Sequence, residues 1–542
     1  MEYGKNFSGK KTVQTEKIPG KEQVKNNEGG YVFSISPEQR IRRFLMLGTD
    51  TNSFYQSKEN LTIENATCIV DEIKKGNGKK VIDMVIDISE NGLARKNEPC
   101  IFALALGLTY GDNELKNYIV DNFNKVVRIG THLFQFIHTL KQLRGFGKIT
   151  KKVFSKWMIE KPLSNLAYQV IKYQGRTVEE GNQSSKWTFR DILRLMKFKT
   201  NEPQRDNLFH YITKNSFKIE SDESLKIIEG FEKAKACKSE KEILPIIQTY
   251  GLTREMIPTE FLNQPKVQEY IFENSGLIAI IRSLSTWTAS GLLNDYNIVF
   301  LNKVIDKLLN KELLKSSRIH PLQILDAIFT YSGGHSIKGS SSWTPVRKIA
   351  DSLNQAFYLS FENVEPTNKK IMLAIDCSGS MSWPSSRISG SLLTARDVSA
   401  VMALVTAKSE KNYIIKGFSE EMSTLDISPN MDLNQVVSNM NKIQKRGTDC
   451  AIPIIDAMKN NCYDIDAFVI YTDNETWFGD IHPCQALTNY RNKSGKSCKF
   501  ITVGMSATNF TIADPNDKDM FDVVGCSTDL PRMISDIIME NI

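Results

Sequence analysis

Three short fragments of this chain carry oxygen donors at spacings that suit a hard metal ion. Asp376, Ser378 and Ser380 alternate in Asp-Cys-Ser-Gly-Ser, directly after the apolar run Ile-Met-Leu-Ala-Ile, so one loop can aim all three side chains at one point. Thr448 stands in Gly-Thr-Asp just ahead of the helical pattern AIPIIDAMK, and Asp473 follows the strand-like run DAFVIYT. Hydroxyls and carboxylates fit Mg²⁺, with Mn²⁺ as the alternative, and not zinc. So few anionic ligands would leave the ion electrophilic, open to a carboxylate or phosphate oxygen from a partner. Other chemistry finds no support. Ser494-Gly495-Lys496-Ser497 has Tyr490 where a P-loop needs glycine, and there is no His-Glu-x-x-His. A two-metal nuclease needs more clustered carboxylates than Asp376, Asp473 and Glu475 supply. The chain is read as a binding protein and not an enzyme.

A second constellation is cationic. Residues 125–199 hold 16 Lys and Arg against 4 Asp and Glu, an excess larger than the net charge of +7 for the whole chain. Residues 366–542, by contrast, hold 17 against 21. A concentrated positive field attracts polyanions and gains from the counterions they release. Lys141, Arg144, Lys148, Lys151, Lys152 and Lys156 fall on or beside one helical hairpin, and Lys172 and Arg176 flank a turn. Arg190, Arg194 and Lys197 recur at spacings that put them on one helix face. Trp187, Phe189 and Tyr173 are interleaved among them. Cations for phosphates with rings for unpaired bases suit single-stranded or structured RNA. Taken alone, Trp187 and Phe189 read first as a helix-start staple and core residues.

The elements that position these groups follow from the apolar pattern. Residues 1–30 are Lys-, Asn- and Gly-rich without a periodic apolar face, and a disordered basic tail is expected there. Residues 31–365 repeat helical spacing, as in THLFQFIHTLKQL, where Leu133, Phe134, Phe136, Ile137 and Leu140 point inward. Many such helices with short connections predict stacked pairs, an α-solenoid. From residue 366 to 542 strand and helix patterns alternate, which predicts an α/β doubly wound domain with ligands at the carboxyl ends of its strands.

Composition sets the outer bounds. A chain of 542 residues needs more than one core. No apolar run reaches the roughly 20 residues of a membrane helix, so no membrane association is expected. The nine cysteines are scattered without a Cys-x-x-Cys pair, which fits a reducing compartment, the cytoplasm or also the nucleus. A monomer is expected.

The metal motif, Asp376, Ser378, Ser380, Thr448 and Asp473 in that order, resembles the metal-ion-dependent adhesion site of von Willebrand factor A domains. The wider succession THLFQFI, WTFRDILRL, IHPLQILDAIFTYSGGHSIKGSSSW, NVEPTNKKIMLAIDCSGSM, RGTDCAIP, YTDNET and NFTIADP resembles the TROVE-domain ribonucleoprotein family from about Tyr31 to the C-terminus. The resemblance implies a ring of HEAT-like helical repeats closed by an A domain. It implies small cytoplasmic Y RNAs on an outer basic surface, and single-stranded 3′ ends of misfolded noncoding RNAs in a central hole, as RNA quality control. Phe189 stands where the family usually has a histidine implicated in Y RNA contact, and TVEEGNQSS separates Arg176 from Trp187. An alternative reading is a protein-interaction scaffold that grips an acidic side chain of a partner through the A-domain metal.

Overall fold

The structure, a computed structural model, describes residues 11–47, 63, 66–94, 96–173, 176–180, 183–197, 200–214, 223–336, 340–361, 366–382, 393–425, 427–440, 442–443, 447–506, 508–525 and 530–540. Between Pro37 and Leu359 the described residues are mostly helical, in short helices that pack on their sequence neighbours. Gly130–Leu143 is typical: Leu133, Phe134, Phe136, Ile137 and Leu140 have no exposure, while Lys141 and Gln142 in its last turn are exposed. Such a stack needs its apolar end faces covered, because each helical pair hides its core only against a neighbour.

The second half is a sheet with helices on both faces. The chain's strands are β1 (Val24–Lys25), β2 (Tyr31–Ser34), β3 (Arg176–Glu180), β4 (Gln183–Trp187), β5 (Lys370–Asp376), β6 (Asn412–Phe418), β7 (Met422–Thr424), β8 (Ala467–Thr472), β9 (Lys499–Gly504), β10 (Phe510–Thr511) and β11 (Met520–Val524). The main sheet runs β11-β9-β8-β5-β6-β7, parallel except for β7. Alternation serves both faces at once: Ile371, Leu373 and Ile375 pack beneath the helices Ala395–Ser409 and Leu530–Met539. Met372 and Ala374 pack beneath Ile452–Lys459 and Pro483–Ser494. Burial on both sides explains why these strands read as unbroken apolar runs.

Residues 11–30 correct the expectation of a disordered tail; residues 1–10 lie outside the described residues. The segment is a strap on the α/β domain. Gln14 donates to the Asp449 carboxylate (2.7 Å) and to the Ile481 carbonyl (2.9 Å), and its backbone N–H donates to Gly479 (2.9 Å). The strands β1 and β2 form a hairpin, and β2 pairs antiparallel with β10, so the domain recruits strands from the far end of the chain. The physical reason is hydrogen bonding: polar side chains with no local apolar face are satisfied by partners more than 430 residues away.

The strap leads straight into the first helix, Pro37–Leu47, whose Arg43 closes the architecture. Its guanidinium has no exposure and binds both Asp522 oxygens (2.6 and 2.8 Å) and the Phe510 carbonyl (3.1 Å). The last helix of the stack, Arg347–Leu359, seats on the same domain. There Asn354 accepts from the Leu433 N–H, and the Lys408 ammonium lies 3.6 Å from the Tyr358 ring centre. Both ends of the helical stack therefore meet one α/β domain, and the circuit of packing contacts is closed. Removing one member of a buried ion pair strands the other charge. Arg43→Ala is expected to lower the unfolding free energy by about 3–5 kcal/mol and to speed hydrogen exchange in β2 and β10. Denaturant titration and exchange mass spectrometry check both.

Candidate metal centre and cationic face

Parallel pairing of β5 with β8 brings two carboxylates together, because Ile375 faces Tyr471 and the next residues leave the sheet side by side. Asp376 ends β5 and Asp473 follows β8; neither has any exposure. Asp376 accepts from the Ser378 N–H (2.9 Å) and from the Thr472 hydroxyl (2.6 Å). The Ser378 and Ser380 hydroxyls are 3.2 Å apart, and Ser380 interacts with the Asp473 carboxylate. One Asp473 oxygen accepts from the Glu475 N–H (3.0 Å), while Oδ2 is buried without a hydrogen-bond partner. Thr448 is tied to the same loop through its carbonyl, which accepts from the Trp477 and Phe478 N–H groups (3.1 Å each). Asp376, Ser378, Ser380 and Asp473 are thus in one network, with Thr448 on the adjoining loop.

The electrostatics of this network are unfavourable without a cation. Burial, and then the Asp473 charge, push the Asp376 carboxyl up to about 7. Burial also raises Asp473, and it lifts Asp449 to about 7 and Glu475 to about 8. An orphaned carboxylate oxygen beside a second buried carboxylate and two hydroxyls fits a hard divalent ion, and Asp376, Ser378, Ser380, Thr448 and Asp473 are the residues that could hold it. The N-terminal strap reaches the same site: the Asn27 N–H donates to Glu475 (3.0 Å) and Asn26 Nδ2 donates to the Thr476 carbonyl (2.8 Å). Gln14, Asn26, Asn27, Glu28 and Asp449 were absent from the sequence-based site. A signal existed in Val-Lys-Asn-Asn-Glu-Gly-Gly-Tyr-Val, where a Gly-rich turn joins two β-prone runs.

The cationic residues fall as follows. Lys141, Arg144, Lys148, Lys151, Lys152, Arg190 and Arg194 are exposed, and none forms an ion pair with an acid among the described residues. Lys152 meets the neutral Asn117 (2.9 Å), whereas Lys156 on the next turn is neutralised by Asp121 (2.9 Å). The Lys141 ammonium lies 5.4 Å from the Trp187 ring centre, which links the hairpin's cations to the segment carrying Arg190 and Arg194. Arg190 also donates to the Thr213 carbonyl, capping the helix Pro203–Lys214. Lys172 is half-buried, with its ammonium 5.3 Å from the Tyr168 ring centre. The Arg176 side chain lies outside the described residues.

One reading of this region changes, and one pair of alternatives is decided by burial. Lys197 does not share the face of Arg190 and Arg194, because the helix ends at Met196 and Lys197 adopts a left-handed cap (φ 49°). Trp187 and Phe189 are core residues. Trp187 donates to His138 (3.3 Å), and Phe189 packs edge-on to Phe134 (4.9 Å) and stacks on Trp157. Phe189, 3% exposed, offers no ring to a ligand. Of the run TVEEGNQSS, residues 177–180 lie on β3 and residues 183–185 on β4, which pair antiparallel from Arg176–Trp187 to Glu180–Gln183.

The helical half matches the TROVE domain over residues 24–330, and the α/β half matches the Ro60 vWA domain over residues 370–538. The chain belongs to the TROVE-domain family. It is similar to two proteins named RNA-binding protein RO60. That of Deinococcus radiodurans is 33% identical over 524 residues, covering 96% of each chain. That of Caenorhabditis elegans is 32% identical over 597 residues, covering 96% of this chain and 90% of the relative. The crystal structure of Deinococcus radiodurans RO (RSR) protein resembles this TROVE-family fold with a TM-score of 0.70 and 30% identity, over 94% of this chain and all of that one. The α-helical stack with its A domain is therefore the family architecture.

The raised carboxyls set a pH dependence. Asp376 titrates near 7 in the folded protein but near 4 when unfolded, so the folded state holds the extra proton between those values. Its contribution to stability is then most favourable at low pH and is lost as pH rises from about 4 to about 7. In metal-free buffer, Asp376→Asn is expected to gain stability relative to the parent across that interval and to hold the gain above it. Thermal melts in chelator from pH 4 to 8 check the difference.

Proposed function

We propose that this chain binds RNA through the cationic face formed by residues 141–152 and 190–194. The observation that carries this reading is that seven exposed cations form no close ion pair with an acid among the described residues, though the Asp121 charge reaches Lys152, while neighbouring Lys156 is paired with Asp121. Close positive charges raise their mutual repulsion and gain most from a polyanion that relieves it. The RNA-binding names of two relatives similar over nearly the whole chain support the same class of ligand. The finer expectations stand as part of the proposal: Y RNA-like transcripts on the outer face, 3′ ends of misfolded noncoding RNA in the ring's interior, and a quality-control role without turnover in the cytoplasm and nucleus. Affinity on this reading comes from phosphates, and selection comes from RNA shape and free ends.

With Lys141, Lys148, Lys151, Arg190 and Arg194 changed to Ala, the slope of log K against log salt is expected to shrink by roughly 3 to 4 for a single-stranded RNA. Filter binding across a salt series reads it, and an unchanged slope in a folded variant rejects the assignment.

A second reading concerns the A domain and is favoured by the partnerless Asp473 Oδ2. We propose that Asp376, Ser378, Ser380, Thr448 and Asp473 hold Mg²⁺ and that the bound ion takes an acidic side chain of a protein partner. Bound Mg²⁺ would relieve the repulsion that grows with pH. Added Mg²⁺ is therefore expected to raise the melting temperature more at pH 8 than at pH 5, and to have no effect on Asp376→Ala. Scanning calorimetry tests it.

A further inference from the structure

The loop that follows Asp473 does not face solvent freely, because the N-terminal strap lays a tight turn across it. Asn26-Asn27-Glu28-Gly29-Gly30 closes on itself: the Asn26 N–H donates to the Gly30 carbonyl (2.8 Å) and the Gly30 N–H donates to the Asn26 side chain (2.7 Å). Gly29 takes a left-handed φ of 94° that favours glycine. At Gly30 an added Cβ would lie 1.9 Å from the Thr476 carbonyl oxygen, so backbone meets backbone there and only glycine fits.

The turn is anchored beside the metal-site carboxylate. The backbone N–H groups of Asn27 and Glu28 both bond the Glu475 carboxylate, and the Glu475 N–H bonds Asp473 (3.0 Å). Glu28, exposed at the turn's tip, is therefore two hydrogen-bonded steps from Asp473. No lysine or arginine among the described residues pairs with Asp376, Asp473 or Glu475.

We propose that the Asn26–Gly30 turn is a cover built into the chain for the A-domain metal site, with the Glu28 carboxylate held across the approach that an acidic side chain of a partner would use. This rests on the metal reading above. The cover has two consequences. Its negative charge strengthens binding of the cation, and it must lift before a partner's carboxylate reaches the ion. Lifting would also pull on β2 and on the helix that carries Arg43, since the same segment runs into both.

The test uses the full chain with Mn²⁺ as the probe, followed by titration calorimetry and hydrogen exchange. Glu28→Gln is expected to weaken Mn²⁺ binding on the order of tenfold, while Glu22→Gln, which removes another exposed carboxylate of the strap, leaves it unchanged. Mn²⁺ is expected to slow exchange across residues 24–30 in the parent and not in Glu28→Gln. Equal affinity in the parent and Glu28→Gln, with no metal-dependent protection of the turn, overturns the cover while leaving the metal site standing. A parent that binds Mn²⁺ no better than Asp376→Ala overturns the metal site and the cover together.

Discussion

A guanidinium wholly withdrawn from water holds this molecule's two ends in register. Arg43, near the start of the helical stack, is matched by both oxygens of Asp522 near the end of the chain. Burying a charge of this kind is tolerable only with a bidentate partner and further acceptors, and the Phe510 carbonyl helps to supply them. A stack of helical pairs leaves an apolar face at each end. Here one α/β domain covers both ends, through Arg43 and the strap on one side and through Asn354 and Tyr358 on the other. Everything proposed about RNA needs that closure, because the curvature of the stack fixes which side chains share a surface.

The two chemistries of the molecule are kept apart by burial. In the helical half the cations are exposed on long flexible stems and the acids nearby are few. In the A domain the carboxylates are withdrawn from solvent and crowd one another at the strand ends. An exposed cation costs little to maintain and attracts at a distance. A buried carboxylate costs a great deal and is relieved only by a proton or a close cation. The same chain can thus offer a diffuse surface for a polyanion and a narrow site for a metal without the two neutralising each other.

Much of this was legible in the residues. The A-domain strands announced themselves because burial on both faces writes an unbroken apolar run. Asp376, Ser378, Ser380 and Asp473 meet in one network because parallel neighbours deliver their carboxyl ends to one edge, with Thr448 on the adjoining loop. The helix Gly130–Leu143 buries the five residues that its periodicity assigned to the core. The strap was not legible as a tail or as a core element. Gln14, Asn26 and Asn27 are held by hydrogen bonds to residues more than 430 positions away, and such bonds leave no local period. Lys197 was misplaced because a helix cap, and not spacing, decides where a face ends. Phe189 and Trp187 are core residues, as their place at a helix start suggested, and their burial excludes the stacking role that neighbouring cations also allowed.

The central claim is that RNA lies on the cationic face of the helical half. Ultraviolet crosslinking of the full chain to a single-stranded RNA at low salt, with mass spectrometry of the attached peptides, addresses it most directly. The account predicts adducts on peptides spanning residues 141–152 and 188–197, and their loss as salt rises. Adducts confined to the A domain, or spread evenly over the molecule, would contradict it.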